Sequence, residues 1–126
     1  MATTARFTGA ANVDNTDSRA YNDFENVTYS ATPTLAVKDK AAQSIKVIAL
    51  TGACTLSVNV GTATTAPFVG DKLQLQLTSD GTSRIVTFGT GFLATGTFSV
   101  TTAKYAVINF VFNGTGWLET GRAVSA

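Results

Sequence analysis

The sequence contains no histidine, one cysteine, two prolines, one tryptophan and one methionine in 126 residues, and only 13% of it is charged. Each shortage removes a class of function. Without histidine the commonest general base near neutral pH is missing, and with it the usual serine triads and most zinc sites. The lone Cys54 cannot form an internal disulfide or supply a thiolate metal cluster, which fits folding in a reducing cytoplasm. It lies in the apolar-leaning stretch ACTLSV, so a buried, inert thiol is expected rather than a nucleophile. Lys and Arg are scattered singly and the net charge is +1, which argues against nucleic acid as a main ligand and against electrostatic attachment to a membrane. No apolar run approaches the roughly eighteen residues of a spanning helix. The opening MATTARFTGA has no apolar core of a secretion signal, so Sec export is not expected. There is no G-x-x-x-x-G-K-[ST] phosphate loop. Gly89-Thr90-Gly91 begins a G-x-G, but neither a third glycine nor a helix follows, and a turn is expected there.

What the sequence does have is threonine, 22 residues of it, together with 11 glycines and a hydrophobic fraction of 44%. Thr is β-branched and favours strands, while Gly supplies turns. The length fits one domain with a core that needs no staples, and the chain is too apolar to be disordered. Long Ala, Leu, Glu and Lys segments at helical spacing are missing, so the composition reads all-β.

Residues 1–30 differ from the rest. They hold two Arg (Arg6, Arg19) against four acids (Asp14, Asp17, Asp23, Glu25), with Phe7, Tyr21, Phe24 and Tyr29 dotted among polar residues, whereas residues 31–126 carry seven cations against four acids. This reads as an extended N-terminal arm, with a helical turn near 17–25 as one option. Isolated aromatics on a polar arm suit docking onto another surface, or onto the chain's own core.

From Pro33 onward apolar and polar residues alternate. Strands are expected at 34–38, 44–50, 54–60, 71–79, 83–89, 97–101, 104–112 and 116–122, with a loop at 61–70 where Pro67 and Gly70 oppose a central strand. Leu73, Leu75 and Leu77 form one face, and Ala106, Ile108, Phe110 and Phe112 another. Strand 104–112 is also largely apolar on its second face, at Tyr105, Val107 and Val111, so a second sheet, the arm or a neighbouring subunit should cover each side. Asp80-Gly81 and Asn113-Gly114 read as the turns of two similar hairpins. The expected fold is a single antiparallel β-sandwich or small β-barrel over 31–126, preceded by the arm at 1–30.

Little catalytic chemistry remains. Asp39, Asp71 and Asp80 fall at turns or strand starts, where Asp bonds nearby backbone N–H groups. Glu119 beside Trp117 hints at sugar binding, but an edge-strand Glu and a core Trp are the plainer reading. Asn12, Asp14, Asn15 and Asp17 offer oxygen donors without the Gly and distal Glu of an EF-hand loop, so turn or capping use is expected. Asn26-Val-Thr28 and Asn113-Gly-Thr115 match glycosylation sequons, which carry no weight without a secretion signal. No enzyme, cofactor or metal is expected.

The run 70–122 contains Gly70-Asp71 at a strand start, Thr78-x-Asp80-Gly81-Thr82, VTFGTGF from Val86 to Phe92, TTAK from Thr101 to Lys104, and FNGTGWLE from Phe112 to Glu119. This run resembles a β module of tailed-phage structural proteins, found in fibres and in capsid decorations. Residues 31–69 fit it loosely and 1–30 hardly at all. With no stalk repeats or coiled-coil heptads, the chain is similar to capsid decoration (cement) proteins. That resemblance implies a homotrimer on the capsid exterior, assembled in the host cytoplasm, with itself and the major capsid protein or other virion proteins as partners; the scattered charge already argues against nucleic acid and membrane. A fibre or receptor-binding part and a shell-forming subunit are the alternatives. The residues expected to meet partners are Arg6, Phe7, Tyr21 and Phe24 on the arm, and Tyr105, Val107 and Val111 on the core.

Overall fold

Side chains that alternate along a strand give it one row to bury, and most of the ten strands among the described residues bury an apolar one. The computed structural model describes residues 21–38, 41–60, 67–94 and 96–125. The strands are β1 Tyr21–Val27, β2 Thr34–Leu35, β3 Ala41–Leu50, β4 Cys54–Val58, β5 Lys72–Ser79, β6 Arg84–Phe88, β7 Phe92–Leu93, β8 Thr97–Val100, β9 Tyr105–Phe112 and β10 Trp117–Val124. They form a six-stranded sheet ordered β1-β3-β5-β9-β10-β7 and a four-stranded sheet ordered β2-β4-β6-β8. Leu35, Leu56, Val58, Val86 and Val100 of the smaller sheet join Ile48, Leu73, Leu75, Leu77, Ile108 and Phe110 of the larger in one buried cluster.

Both sheets are mixed, which corrects the antiparallel expectation. β1, β3 and β5 run parallel, as do β2, β4 and β6, while β5–β9, β9–β10 and β6–β8 are antiparallel. The chain crosses to the other sheet after each of the first six strands, so every circuit lays one strand on each sheet. The Asp80-Gly81 turn therefore closes no hairpin: β5 belongs to the six-stranded sheet and β6 to the other. Period-two alternation reports a buried face but not the direction of the neighbouring strand, and an Asp-Gly corner serves an arch as well as a hairpin. The arch is clasped by Arg84, whose Nε and second terminal nitrogen donate to the two Asp80 carboxylate oxygens at 2.9 and 2.8 Å. That hydrogen bonding holds Asp80 below the usual carboxylate range. The second expected hairpin, β9–β10 across Asn113-Gly114, is present.

Residues 21–25 are extended in β1 rather than helical, and β1 pairs along β3 from Asn22↔Gln43 to Val27↔Ile48. The strand expected at 34–38 is regular only over Thr34–Leu35. The Asn59 side chain continues it instead: Val37 N–H donates to Asn59 Oδ1 at 2.7 Å, and Asn59 Nδ2 donates to Val37 O at 3.3 Å.

The Gly89-Thr90-Gly91 corner is a packing device. Gly91 has φ +91°, and a Cβ there would collide with the Val58 carbonyl. Its own carbonyl accepts the Trp117 N–H at 2.8 Å, while the buried indole donates to Asn59 O at 3.1 Å. The ends of β4, β7 and β10 are thus fastened at one point. Gly91→Ala is expected to lower unfolding free energy by at least about 2 kcal/mol, since strain and a backbone clash add. Ala103, a non-glycine residue at φ 55°, should give the opposite sign: Ala103→Gly is expected to raise stability by roughly 0.5–1 kcal/mol. Urea unfolding of the two variants checks both.

A candidate interaction face on the six-stranded sheet

The register of the larger sheet sets its inward and outward rows. On the outward side β3 presents Gln43, Ile45, Val47 and Ala49, β5 presents Lys72, Gln74, Gln76 and Thr78, and β9 presents Tyr105, Val107, Asn109 and Val111. β1 adds Asn22, Phe24 and Asn26 beside β3, and β10 adds Leu118 and Ala123 beside β9. Lys72 is the one charged residue among these outward positions. Two stripes rich in apolar side chains therefore flank a polar one. In the middle, Gln76 Nε2 donates to Gln74 Oε1 at 2.7 Å, and Gln74 Nε2 donates to Asn109 Oδ1 at 3.0 Å. A shallow depression of about 290 Å³ lies among Gln43, Lys72, Gln74, Asn109, Val111 and Thr120.

Four of the residues expected to meet partners share this face. Phe24 is 60% exposed and Tyr105 67%, while Val107 and Val111 are half-buried. Phe24 and Tyr105 stand toward opposite sides of it, separated by β3 and β5. Tyr21 begins β1. Arg6 and Phe7 lie outside the described residues, as do the 12–17 oxygen cluster, Asp39 and most of the 61–70 loop. Exposed aromatics with almost no charge around them are the composition of an interface centre, since burying charge is what an interface avoids.

The other candidates resolve into structure. Cys54 is buried, its thiol donates to Ser30 O at 3.6 Å, and burial pushes its pKa up, as an inert thiol requires. Trp117 is buried against Phe112, with ring centroids 5.2 Å apart. Glu119 is tied to Arg122 by two hydrogen bonds of 2.5 Å, and Arg122 also lies over the Phe88 and Phe98 rings. This pair lines an open cleft of about 540 Å³ with Leu93, Ala94, Thr97 and Leu118. The Asp71 carboxylate accepts the Phe68 N–H at 2.9 Å. Among the described residues no group of three or more His, Cys, Asp or Glu is placed to hold a metal.

One cluster escaped the sequence reading. Lys46 faces inward and is 0% exposed, donating to Asp23 Oδ2 at 3.2 Å and to Glu25 Oε1 at 2.6 Å. Lys38, on the surface, reaches Asp23 Oδ1 at 3.3 Å. Burial pushes Asp23 up, but hydrogen bonds from Lys46 and Lys38 outweigh it and hold the carboxyl below its ordinary range. Ser44 is also buried, and its Oγ has no partner among the described residues. The available signal was the i, i+2 spacing of Asp23 and Glu25, which matches Ser44 and Lys46 across the ladder.

The two faces of β9 should respond differently to truncation. Ile108→Ala is expected to cost about 3 kcal/mol through the cavity it leaves, and Tyr105→Ser less than about 0.5 kcal/mol. Urea titrations of both variants test the assignment of inner and outer rows.

Compared with known proteins, the chain matches no protein-family model and no curated protein.

Proposed function

We propose that this chain is a non-enzymatic virion structural protein of the capsid-decoration type. In this reading the two mixed sheets form a sandwich that serves as a rigid block. The outward face of the six-stranded sheet meets sister copies or the shell, and residues 1–20, the part of the arm that precedes β1, bind a neighbouring capsid subunit. The observation that carries it is the nearly uncharged outer face with Phe24, Tyr105, Val107 and Val111 on it. The likeness of run 70–122 to phage structural modules supplies the setting. Many weak copies of one contact over a shell hold by avidity, and a part that binds only the mature shell stabilises that state by mass action.

Two measurements test this. Sedimentation of the purified protein should show a trimer, and Tyr105→Glu should shift it toward monomer at least tenfold in dissociation constant while leaving the unfolding midpoint in place. A protein that stays monomeric at high concentration counts against the self-association half. Purified shells should bind the full chain and lose at least about tenfold in affinity on removal of residues 1–20, a cut that spares β1. Unchanged binding would remove the arm from the mechanism, and binding to host cells but not to shells would favour a fibre part instead.

A further inference from the structure

We propose that Lys46 and Asp23 condense to an amide, with Glu25 moving the proton, so that edge strand β1 becomes covalently tied to β3. The three groups are a nucleophile, an electrophile and a proton carrier gathered at one buried nitrogen. Lys46 Nζ lies 3.2 Å from Asp23 Oδ2, one bond from the carbon it would attack, and 2.6 Å from Glu25 Oε1. Lys46 and Asp23 are buried, whereas Glu25 is half-exposed and opens toward solvent. Fixed proximity of this kind replaces a bimolecular encounter with an intramolecular one.

The step balances without any co-reactant. Glu25 relays a proton from the Lys46 ammonium to Asp23, and the freed lone pair forms a bond to Cγ of the neutral acid. The Asp23 C–Oδ bond then breaks. The departing oxygen carries away two protons that began on the Lys46 nitrogen, one of them relayed by Glu25, and leaves as water. Glu25 ends as it began. An ammonium and a carboxylate become one neutral amide, which removes two charges from a place where charge is expensive to hold. Ser44 stands directly across the ladder from Asp23, buried and with its hydroxyl unpartnered among the described residues. Lys38 works against the reaction by holding Asp23 Oδ1 as a carboxylate.

The readout is intact mass of the full chain, unfolded in acid before measurement. The native protein should weigh about 18 Da, one water, less than its sequence. Its tryptic digest should contain a branched peptide joining residues 20–38 to residues 41–72, because an acylated Lys46 is no longer cut. Lys46→Arg should restore the full mass. Glu25→Gln, a change at a half-exposed position, should slow linkage by about 100-fold or more and yield mostly unlinked protein. Lys38→Met should raise the linked fraction wherever the native protein is incompletely linked. Full mass in both the native chain and Lys38→Met after prolonged incubation overturns the proposal. So does a loss of one water without the branched peptide, which would mark a succinimide at Asp23 instead.

Discussion

Most strands of this chain carry one apolar row, and much of the rest follows from how those rows are buried against one another. Leu73, Leu75 and Leu77 of β5 and Ala106, Ile108 and Phe110 of β9 are near-fully buried, and they meet Leu56, Val58 and Val86 from the smaller sheet. A strand that buries only one face must have a second layer above it. The chain meets that demand by crossing after each early strand, so consecutive strands face each other and alternate strands lie side by side. Parallel pairing of β1, β3 and β5 is the geometric consequence, not a separate preference of these residues.

The outer surface of the larger sheet and the inner surface near its edge solve opposite problems. Outside, apolar side chains stand in water with hardly any charge near them, an arrangement that a lone monomer gains nothing from. Inside, beneath edge strand β1, charge is buried. Lys46 has two carboxylate neighbours there, so the cation is compensated, yet burying such ions gives little net stability relative to apolar packing. Inward-pointing charge on an edge strand does discourage a further strand from adding to that edge. The two features together leave the sheet inviting on its face and guarded at its margin.

Much of the fold was legible from alternation alone. The rows Leu73-Leu75-Leu77 and Ala106-Ile108-Phe110-Phe112 are buried as read, and β9–β10 turns at Asn113-Gly114 as read. Strand direction was not legible, because the same alternation serves both directions and Asp80-Gly81 looks locally like Asn113-Gly114. β1 was missed because YNDFENV is polar on both sides: its inward residues are Asp23 and Glu25, whose partner Lys46 is more than twenty positions away. A pattern search that seeks apolar rows cannot register a row completed by ion pairs. The outer face was half legible. Tyr105, Val107 and Val111 stood out along one strand, but only the register places Phe24 on the same side, two strands beyond β5.

The crossing path also bears on how the chain acquires its structure. Among the described strands, no sheet neighbour of the first six is adjacent to it in sequence, since each lies at least two strands away. The β9–β10 pair is the contrasting case, joined by a four-residue turn. Local contacts form fast and distant ones slowly, because closing a long loop comes before any reward. During synthesis the early strands leave the ribosome with no adjacent partner to zip against, and β5 waits for β9 to complete its second side. The β9–β10 pair, with the shortest loop to close, is also among the last segments to be made.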